Sequence, residues 1–302
     1  MRITVTGHSG QVVLSMLERA PAGVSITALG RPEFDLERLE TIAPALGASR
    51  PDIVVNAAAF TAVDLAESQE EAARLVNGAA AGEVAKACAA LGIPVIQIST
   101  DYVFDGSLDR PYREDDPVGP ISVYGSSKLE GERAVAAATA NHAVLRTAWV
   151  YSPFGKNFVK TMLRLAETRD EVGVVADQAG SPTSALDIAD AVFAVARNLV
   201  ARPRDESLRG VFNMGAQGQA VWADVAEAIF AEREALGGAP VRVKRIATAD
   251  YPTPARRPAN SRLDSARLAE IHQVRLPQWQ DALSVCVRRL LTNQQIDGVA
   301  PR

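Results

Sequence analysis

Arg2-Ile3-Thr4-Val5-Thr6-Gly7-His8-Ser9-Gly10-Gln11-Val12-Val13 is the stretch that decides the fold. Ile3 to Thr6 reads as a short β-strand, and Gln11 to Arg19 restores apolar residues at helical spacing. Between them, Gly7 and Gly10 make a tight turn that leaves the backbone bare. A helix that opens after such a turn offers free N–H groups and the positive end of its dipole to a phosphate. The spacing is G-x-x-G, and a third glycine, expected at position 13 for close helix-on-strand packing, is replaced by the β-branched Val13. The fingerprint is therefore incomplete, and the valine puts the grip on a cofactor in question. Taken alone, the stretch is weak evidence, with a plain glycine turn between strand and helix as the lesser alternative.

Outward from this turn, β-rich runs alternate with alanine- and leucine-rich helical stretches. Strands are expected at Ile3 to Thr6, Ser25 to Leu29, Ile53 to Asn56, Val95 to Ser99 and Ala143 to Arg146. Helices are expected at Gln11 to Arg19, Leu36 to Leu46, Glu67 to Leu91 (as two) and Val123 to Ala138. Asp35 stands where it would cap the second of these, and Asp64 with Glu67 reads as a capping box for the third. This alternation predicts an α/β fold, a Rossmann-type doubly wound parallel sheet covered by helices on both faces.

The second half is more mixed. Helices are expected at Phe158 to Glu167, Ser184 to Asn198, Asp224 to Glu234 and Trp279 to Leu291, with strands at Val211 to Asn213 and Val241 to Ile246. Residues 1–150 are read as an NAD(P)-binding Rossmann domain. Residues 151–302 are read as a smaller C-terminal substrate-binding lobe with segments returning to the sheet. The polar tail after Asn293 is expected to fray.

Composition narrows the function. The 302 residues carry a net charge of -4, with no basic excess to neutralise a nucleic-acid backbone. No run is long and apolar enough to span a bilayer, and the opening apolar run is too short for a secretory signal. The two cysteines, Cys88 and Cys286, read as reduced thiols of a cytoplasmic protein. No metal site is expected from their spacing.

The end of the second strand normally holds the residue that meets an adenosine ribose. Here it is Arg31, either a solvated arginine or a planar donor to a 2′-phosphate, and the latter favours NADPH over NADH. Asp35, with Leu36 beside it, is a second candidate near the adenine, or simply a helix cap. Small residues from Ala57 to Ala59 let the third strand's end lie against a cofactor.

Tyr124-Gly125-Ser126-Ser127-Lys128 carries the chemistry. On a helix, positions i and i+4 share a face. A lysine ammonium beside a phenol is expected to move the phenol pKa down, so that it can give a proton to a carbonyl oxygen as hydride arrives. Ser99-Thr100-Asp101-Tyr102 ends a strand that should face the ligand crevice. Thr100 could bond the same oxygen and Asp101 a substrate hydroxyl, while Tyr102 and Phe104 read as packing residues.

These motifs resemble the dTDP-4-dehydrorhamnose reductase family of extended short-chain dehydrogenases. The likeness runs from Asn56-Ala57-Ala58-Ala59-Phe60-Thr61-Ala62-Val63-Asp64 through the two motifs above to Arg146-Thr147-Ala148-Trp149-Val150-Tyr151. It continues in Asn157-Phe158-Val159-Lys160-Thr161-Met162-Leu163-Arg164-Leu165 and Asp177-Gln178-Ala179-Gly180-Ser181-Pro182-Thr183, and ends in Tyr251-Pro252-Thr253-Pro254-Ala255-Arg256-Arg257-Pro258-Ala259-Asn260-Ser261-Arg262-Leu263-Asp264. The resemblance implies NADPH- or NADH-dependent reduction of dTDP-4-dehydro-L-rhamnose to dTDP-L-rhamnose, the last step in making an activated rhamnose for polysaccharides. By position, Gly7, Gly10, Gln11 and Val12 would meet the cofactor pyrophosphate, and Ala58, Ala59 and Phe60 would line it. Tyr124 would donate the proton, with Lys128 as its partner on the cofactor. Thr100 and Asp101 would contact the substrate, Trp149 would lie against its sugar, and Arg256 and Arg257 would close over the diphosphate. Some members dimerise around a metal held by a carboxylate on the first helix. Leu14-Ser15-Met16 has none there, so a monomer or a homodimer without that metal is expected. Alternatives are a reductase of another dTDP-4-keto sugar and a non-catalytic, NADP-binding regulatory subunit of the same fold.

Overall fold

In the computed structural model, which describes residues 1–297, the first half winds as β1 (Arg2–Thr6), α1 (Gln11–Glu18), β2 (Ser25–Leu29), α2 (Ile42–Ser49), β3 (Ile53–Asn56), α3 (Val63–Ala66), α4 (Glu70–Arg74), α5 (Ala80–Leu91), β4 (Val95–Thr100), α6 (Val123–Ala138) and β5 (His142–Thr147). The second half adds β6 (Val150–Tyr151), α7 (Phe158–Leu165), β7 (Glu171–Val175), β8 (Ala179–Gly180), β9 (Thr183–Ser184), α8 (Ala185–Ala201), β10 (Gly210–Asn213), β11 (Ala220–Val221), α9 (Trp222–Ala235), β12 (Arg242–Ile246), α10 (Ala266–His272) and α11 (Trp279–Asp297). The main sheet has six parallel strands in the order β2-β1-β3-β4-β5-β10. Its order reverses between β1 and β3, and the carboxyl ends of those strands flank the crevice where open α/β sheets take ligands.

Alternation along each strand builds the two faces. Ile53 and Val55 of β3 and Ile96 of β4 enter a large core with α1, α8, α9 and α11. Val54 and Val95 point the other way, into a core with Ile42, Leu46, Val84, Cys88 and Val135 of α2, α5 and α6. The larger core runs without a break from Ile3 and Val5 to Phe230 and Leu283, and β10 pairs with β5 at the sheet edge. Segments of the second half thus complete the layer that covers β1.

Two helix starts differ from expectation. The chain after Asp35 turns first, because Asp35 Oδ1 accepts from Glu37 N at 3.0 Å in a local side-chain turn, and α2 begins only at Ile42. Asp64 is no cap: it lies inside α3, and its carboxylate takes Ala255 N at 3.2 Å and Arg257 Nη2 at 2.9 Å. Glu67 is likewise diverted, accepting from Val123 N at 2.9 Å. Between α4 and α5 the helix continues through one wider π turn, Leu75–Ala79, so the expected pair of helices is one rod with a bulge. At the other end α11 extends to Asp297, past the point where fraying was expected; the rest of that tail lies outside the described residues.

Helix α6 carries the candidate catalytic pair and is seated by two glycines. A Cβ on Gly131 would stand 2.0 Å from Asn77 O, and one on Gly125 would stand 2.2 Å from Tyr102 O. Neither backbone could approach so closely past a side chain. The helix opens at Ser122, whose hydroxyl accepts from Gly125 N at 3.1 Å.

Candidate active site

Two adjoining cavities follow the carboxyl edge of the sheet. The larger, about 760 Å³, is floored by Gly10, Gln11 and Val12 and walled by Thr100, Tyr124, Lys128 and Trp149. The smaller, about 360 Å³, is lined by Gly7, Arg31, Leu36 and Ala58 among others, and Ser9 and Ala59 border both. A dinucleotide fits this pair of spaces: Gly7 holds a φ of +97°, open to glycine, and α1 begins at Gln11 behind Gly10, with no side chain capping its first N–H groups.

Most of the sequence-derived cofactor residues meet here. Arg31 is 70% exposed on its side chain beside the smaller cavity, and Asp35 lies 3.5 Å from it. Asp35 therefore steadies Arg31 and does not itself line the cavity. Phe60, expected to line the cofactor, lines neither cavity and packs against the core of α2 and α5; its backbone is held by Asn77, which accepts from its N–H at 2.8 Å, donates to its carbonyl at 3.1 Å and donates to Ser127 Oγ at 2.9 Å. The π turn in the helix is what presents Asn77 to this loop. Val13 is 1% exposed, and its Cγ2 stands 3.5 Å from the place of a Gly7 Cβ; the valine fills the strand–helix junction where the third glycine was expected.

A chain of buried amides joins the glycine turn to Lys128. Thr6 Oγ1 accepts from Ala57 N and Ala58 N at 3.0 and 2.9 Å and donates to Asn56 Oδ1 at 2.8 Å. Asn56 Nδ2 donates to Gln97 Oε1 at 2.7 Å, and Gln97 Nε2 donates to Ile98 O at 3.0 Å. Lys128 Nζ donates to that same carbonyl at 2.7 Å. One helical turn on, buried Glu132 binds Arg146 at 2.7 Å and accepts from Ser99 Oγ at 2.5 Å, pinning α6 to β4 and β5.

The electrostatics correct one expectation. Burial pushes the Tyr124 phenol up to about 12, with the Thr100 hydroxyl acting in the opposite direction and Asp101 adding to the rise. Lys128 spends its ammonium on Ile98 O, and burial brings it down to about 8 while Glu132 resists. The protein's own groups thus keep Tyr124 protonated at neutral pH. Asp101 is pushed up to about 7 by burial, against the pull of Ser261 and Thr100. Thr100 Oγ1 donates to Asp101 Oδ1 at 2.9 Å, while Asp101 Oδ2 and the Thr147 hydroxyl are buried without hydrogen-bond partners. Tyr102 lines the cleft and meets the Tyr124 ring edge-on at 5.8 Å, whereas Phe104 packs in the core against Tyr112, as expected of it.

Arg256 and Arg257 part company. Arg257 is held by Asp64 and lines a third cavity, about 500 Å³, with Phe158, Met162, Val174 and Tyr251. Arg256 is exposed and lines none of these cavities. Trp149 reaches the catalytic cleft, but one face of its ring is stacked on Trp222 with centroids 3.6 Å apart. Sequence reasoning did not single out Trp222 or Lys156, both of which line the cleft. Lys156 adjoins the Asn157-Phe158 helix start, a signal that was available; Trp222, at the start of a helix, carried none.

Fold and site together define a nicotinamide-dependent oxidoreductase of the short-chain dehydrogenase/reductase type. Within that class the RmlD substrate binding domain model matches residues 1–292, and the chain belongs to this family. It is 50% identical to a dTDP-4-dehydrorhamnose reductase of Sinorhizobium fredii over 298 residues, 99% of each chain. Among solved structures, the dTDP-4-dehydrorhamnose reductase of Clostridium acetobutylicum superposes with a TM-score of 0.88 at 34% identity, covering 96% of this chain and 100% of that one. The Bacillus anthracis reductase, solved in complex with NADP, gives 0.87 at 30% identity over 95% and 99% of the two chains. Among the described residues no helix is long and apolar enough to cross a membrane, and no cluster of His, Cys, Asp or Glu could hold a metal ion.

Proposed function

We propose that the chain reduces the 4-keto group of a dTDP-linked 6-deoxysugar, converting dTDP-4-dehydro-L-rhamnose to dTDP-L-rhamnose with NADPH preferred over NADH. The observation that carries this reading is the convergence of Thr100, Tyr124 and Lys128 on one cleft that is continuous with the glycine turn at Gly7 and Gly10. Full-length likeness to dTDP-4-dehydrorhamnose reductases supports the substrate. The exposed guanidinium of Arg31, beside the adenosine-sized cavity, supports a 2′-phosphate and hence NADPH.

Bound NADPH supplies the hydride. Tyr124 gives its phenolic proton to the carbonyl oxygen as the carbon is reduced, and solvent later restores that proton. Burial keeps the phenol protonated until that moment. When substrate is bound, the Thr100 hydroxyl turns from Asp101 Oδ1 to donate to the same oxygen and offsets the charge developing on it. Lys128 holds a cofactor ribose hydroxyl and, while charged, stabilises the phenolate that remains. Asp101 receives a sugar hydroxyl at its unpartnered Oδ2. The cavity of about 500 Å³ takes the nucleoside, with Arg257 on the diphosphate. Arg256, in solvent, has no such role.

In this reading residues 1–150 serve the cofactor and much of 151–302 the substrate. The two buried free thiols, Cys88 and Cys286, suit a cytoplasmic enzyme. It works as a monomer or as a homodimer that needs no metal link, since Leu14-Ser15-Met16 offers no carboxylate. Tyr124→Phe tests the mechanism: cofactor binding should be kept and turnover should fall about 100-fold or more, the range for removing a general acid. Near-normal turnover in that variant would exclude Tyr124 as the proton donor.

A further inference from the structure

Trp149 is held in an arrangement that its own chemistry does not favour. Its backbone sits at φ +47°, a left-handed conformation uncommon for a bulky residue. A Cβ built on Gly180 would lie 2.3 Å from Trp149 Cε2, 2.6 Å from Cζ2 and 2.7 Å from Nε1, distances that rise together as they do for an atom above the ring face. Trp222 covers the opposite face, since a stacked indole on the same side would stand nearer that point than Trp149 does. The two rings are 8° from parallel with centroids 3.6 Å apart. Free aromatic pairs prefer offset or edge-on contacts with centroids farther apart, so the surroundings impose this sandwich. The device that imposes it is the two-stranded ladder of β8 and β11. The ladder pairs Gly180 with Ala220 and delivers Trp222 one residue beyond its end.

Trp222 also borders both the catalytic cleft and the apolar cavity of about 500 Å³, and Phe158 is the other aromatic residue common to both linings. Its indole and the tilted Phe158 ring, 4.7 Å away, form the partition between the two spaces. On the reading given above, on which this inference rests, the substrate places its nucleoside on one side of that partition and its sugar on the other.

We propose that Trp222 is a further substrate-contacting residue, which fixes the Trp149 ring and touches a dTDP-sugar where it passes from the apolar cavity into the catalytic cleft. It lies beside Trp149 and Phe158, away from the Gly7 end of the cofactor site, whose cavity it does not line. A nucleoside diphosphate without its sugar reaches only one side of the partition and gains less from Trp222.

Titration calorimetry of dTDP-L-rhamnose, of dTDP and of NADP⁺ into wild type, Trp222→Ala and Trp222→Phe tests this. Far-UV circular dichroism reports the stack, because the strong far-UV transitions of two indoles in contact couple and give a paired signal. Wild type should show that signal, and both variants should lose it. Trp222→Ala should weaken dTDP-L-rhamnose at least tenfold, weaken dTDP less and leave NADP⁺ within twofold. Trp222→Phe, which keeps a ring in place, should recover most of the sugar-nucleotide affinity. Equal affinity of wild type and Trp222→Ala for dTDP-L-rhamnose would overturn the proposal, as would equal weakening of all three ligands, the mark of a purely structural role. A poorly folded Trp222→Ala leaves Trp222→Phe and the wild-type signal to decide: an unstacked wild type overturns the proposal. Wild type that binds dTDP-L-rhamnose but reduces no dTDP-4-keto sugar would remove the functional reading and leave this inference standing. Wild type that does not bind it would overturn both.

Discussion

Tyr124 and Lys128 illustrate how far a residue's neighbours alter what its type promises. Their i, i+4 spacing was legible, because helix geometry alone puts both on one face. The partner of Lys128 was not legible: Ile98 O is offered by a strand thirty positions away, through a carbonyl that any residue could supply. Hence the expected depression of the Tyr124 pKa gives way to a rise, dominated by burial. Lys128 titrates inside the accessible range instead, brought down to about 8. Its charged form, the one that supports the departing proton, exists below that value and is lost as pH rises through it. The profile of kcat/KM, which reports groups of the free enzyme, should therefore fall above about pH 8 as Lys128 loses its charge, and fall below about pH 7 as Asp101 is protonated and stops accepting the sugar hydroxyl. A profile flat to the ordinary lysine range would show that the charge on Lys128 plays no part.

At the scale of elements, the strands β1 to β5 were readable from their Ile- and Val-rich runs, as was α6 from its first to its last residue. The two-residue strands β6, β8, β9 and β11 were not, since so short a pairing exists only through its partner. The junction of β1 with α1 shows the same limit. A missing third glycine reads as a weakened cofactor turn, yet Val13 points inward and is fully packed beside Gly7 and Ala58. Val13→Gly should leave a cavity and put a glycine inside a helix, costing about 3 kcal/mol of stability with no gain in cofactor binding. Urea unfolding beside an NADPH titration would check it. Tighter binding at unchanged stability would mean that the valine does obstruct the turn.

The whole molecule is less divisible than its sequence suggests. β10 completes the sheet from the second half, and α8, α9 and α11 share one core with β1. Asp64, near the crevice, reaches across the chain to hold Arg257. The cleft is therefore assembled from both halves, which explains why the residues absent from the sequence reading, Trp222 above all, come from the half with the weaker periodicity. The central claim is that this assembled cleft reduces a 4-keto sugar nucleotide. The most direct test is nicotinamide oxidation with dTDP-4-dehydro-L-rhamnose generated in situ, run in parallel with NADPH and NADH. The account predicts rapid turnover to dTDP-L-rhamnose, faster with NADPH. Absence of turnover by a protein shown separately to bind NADPH would contradict it.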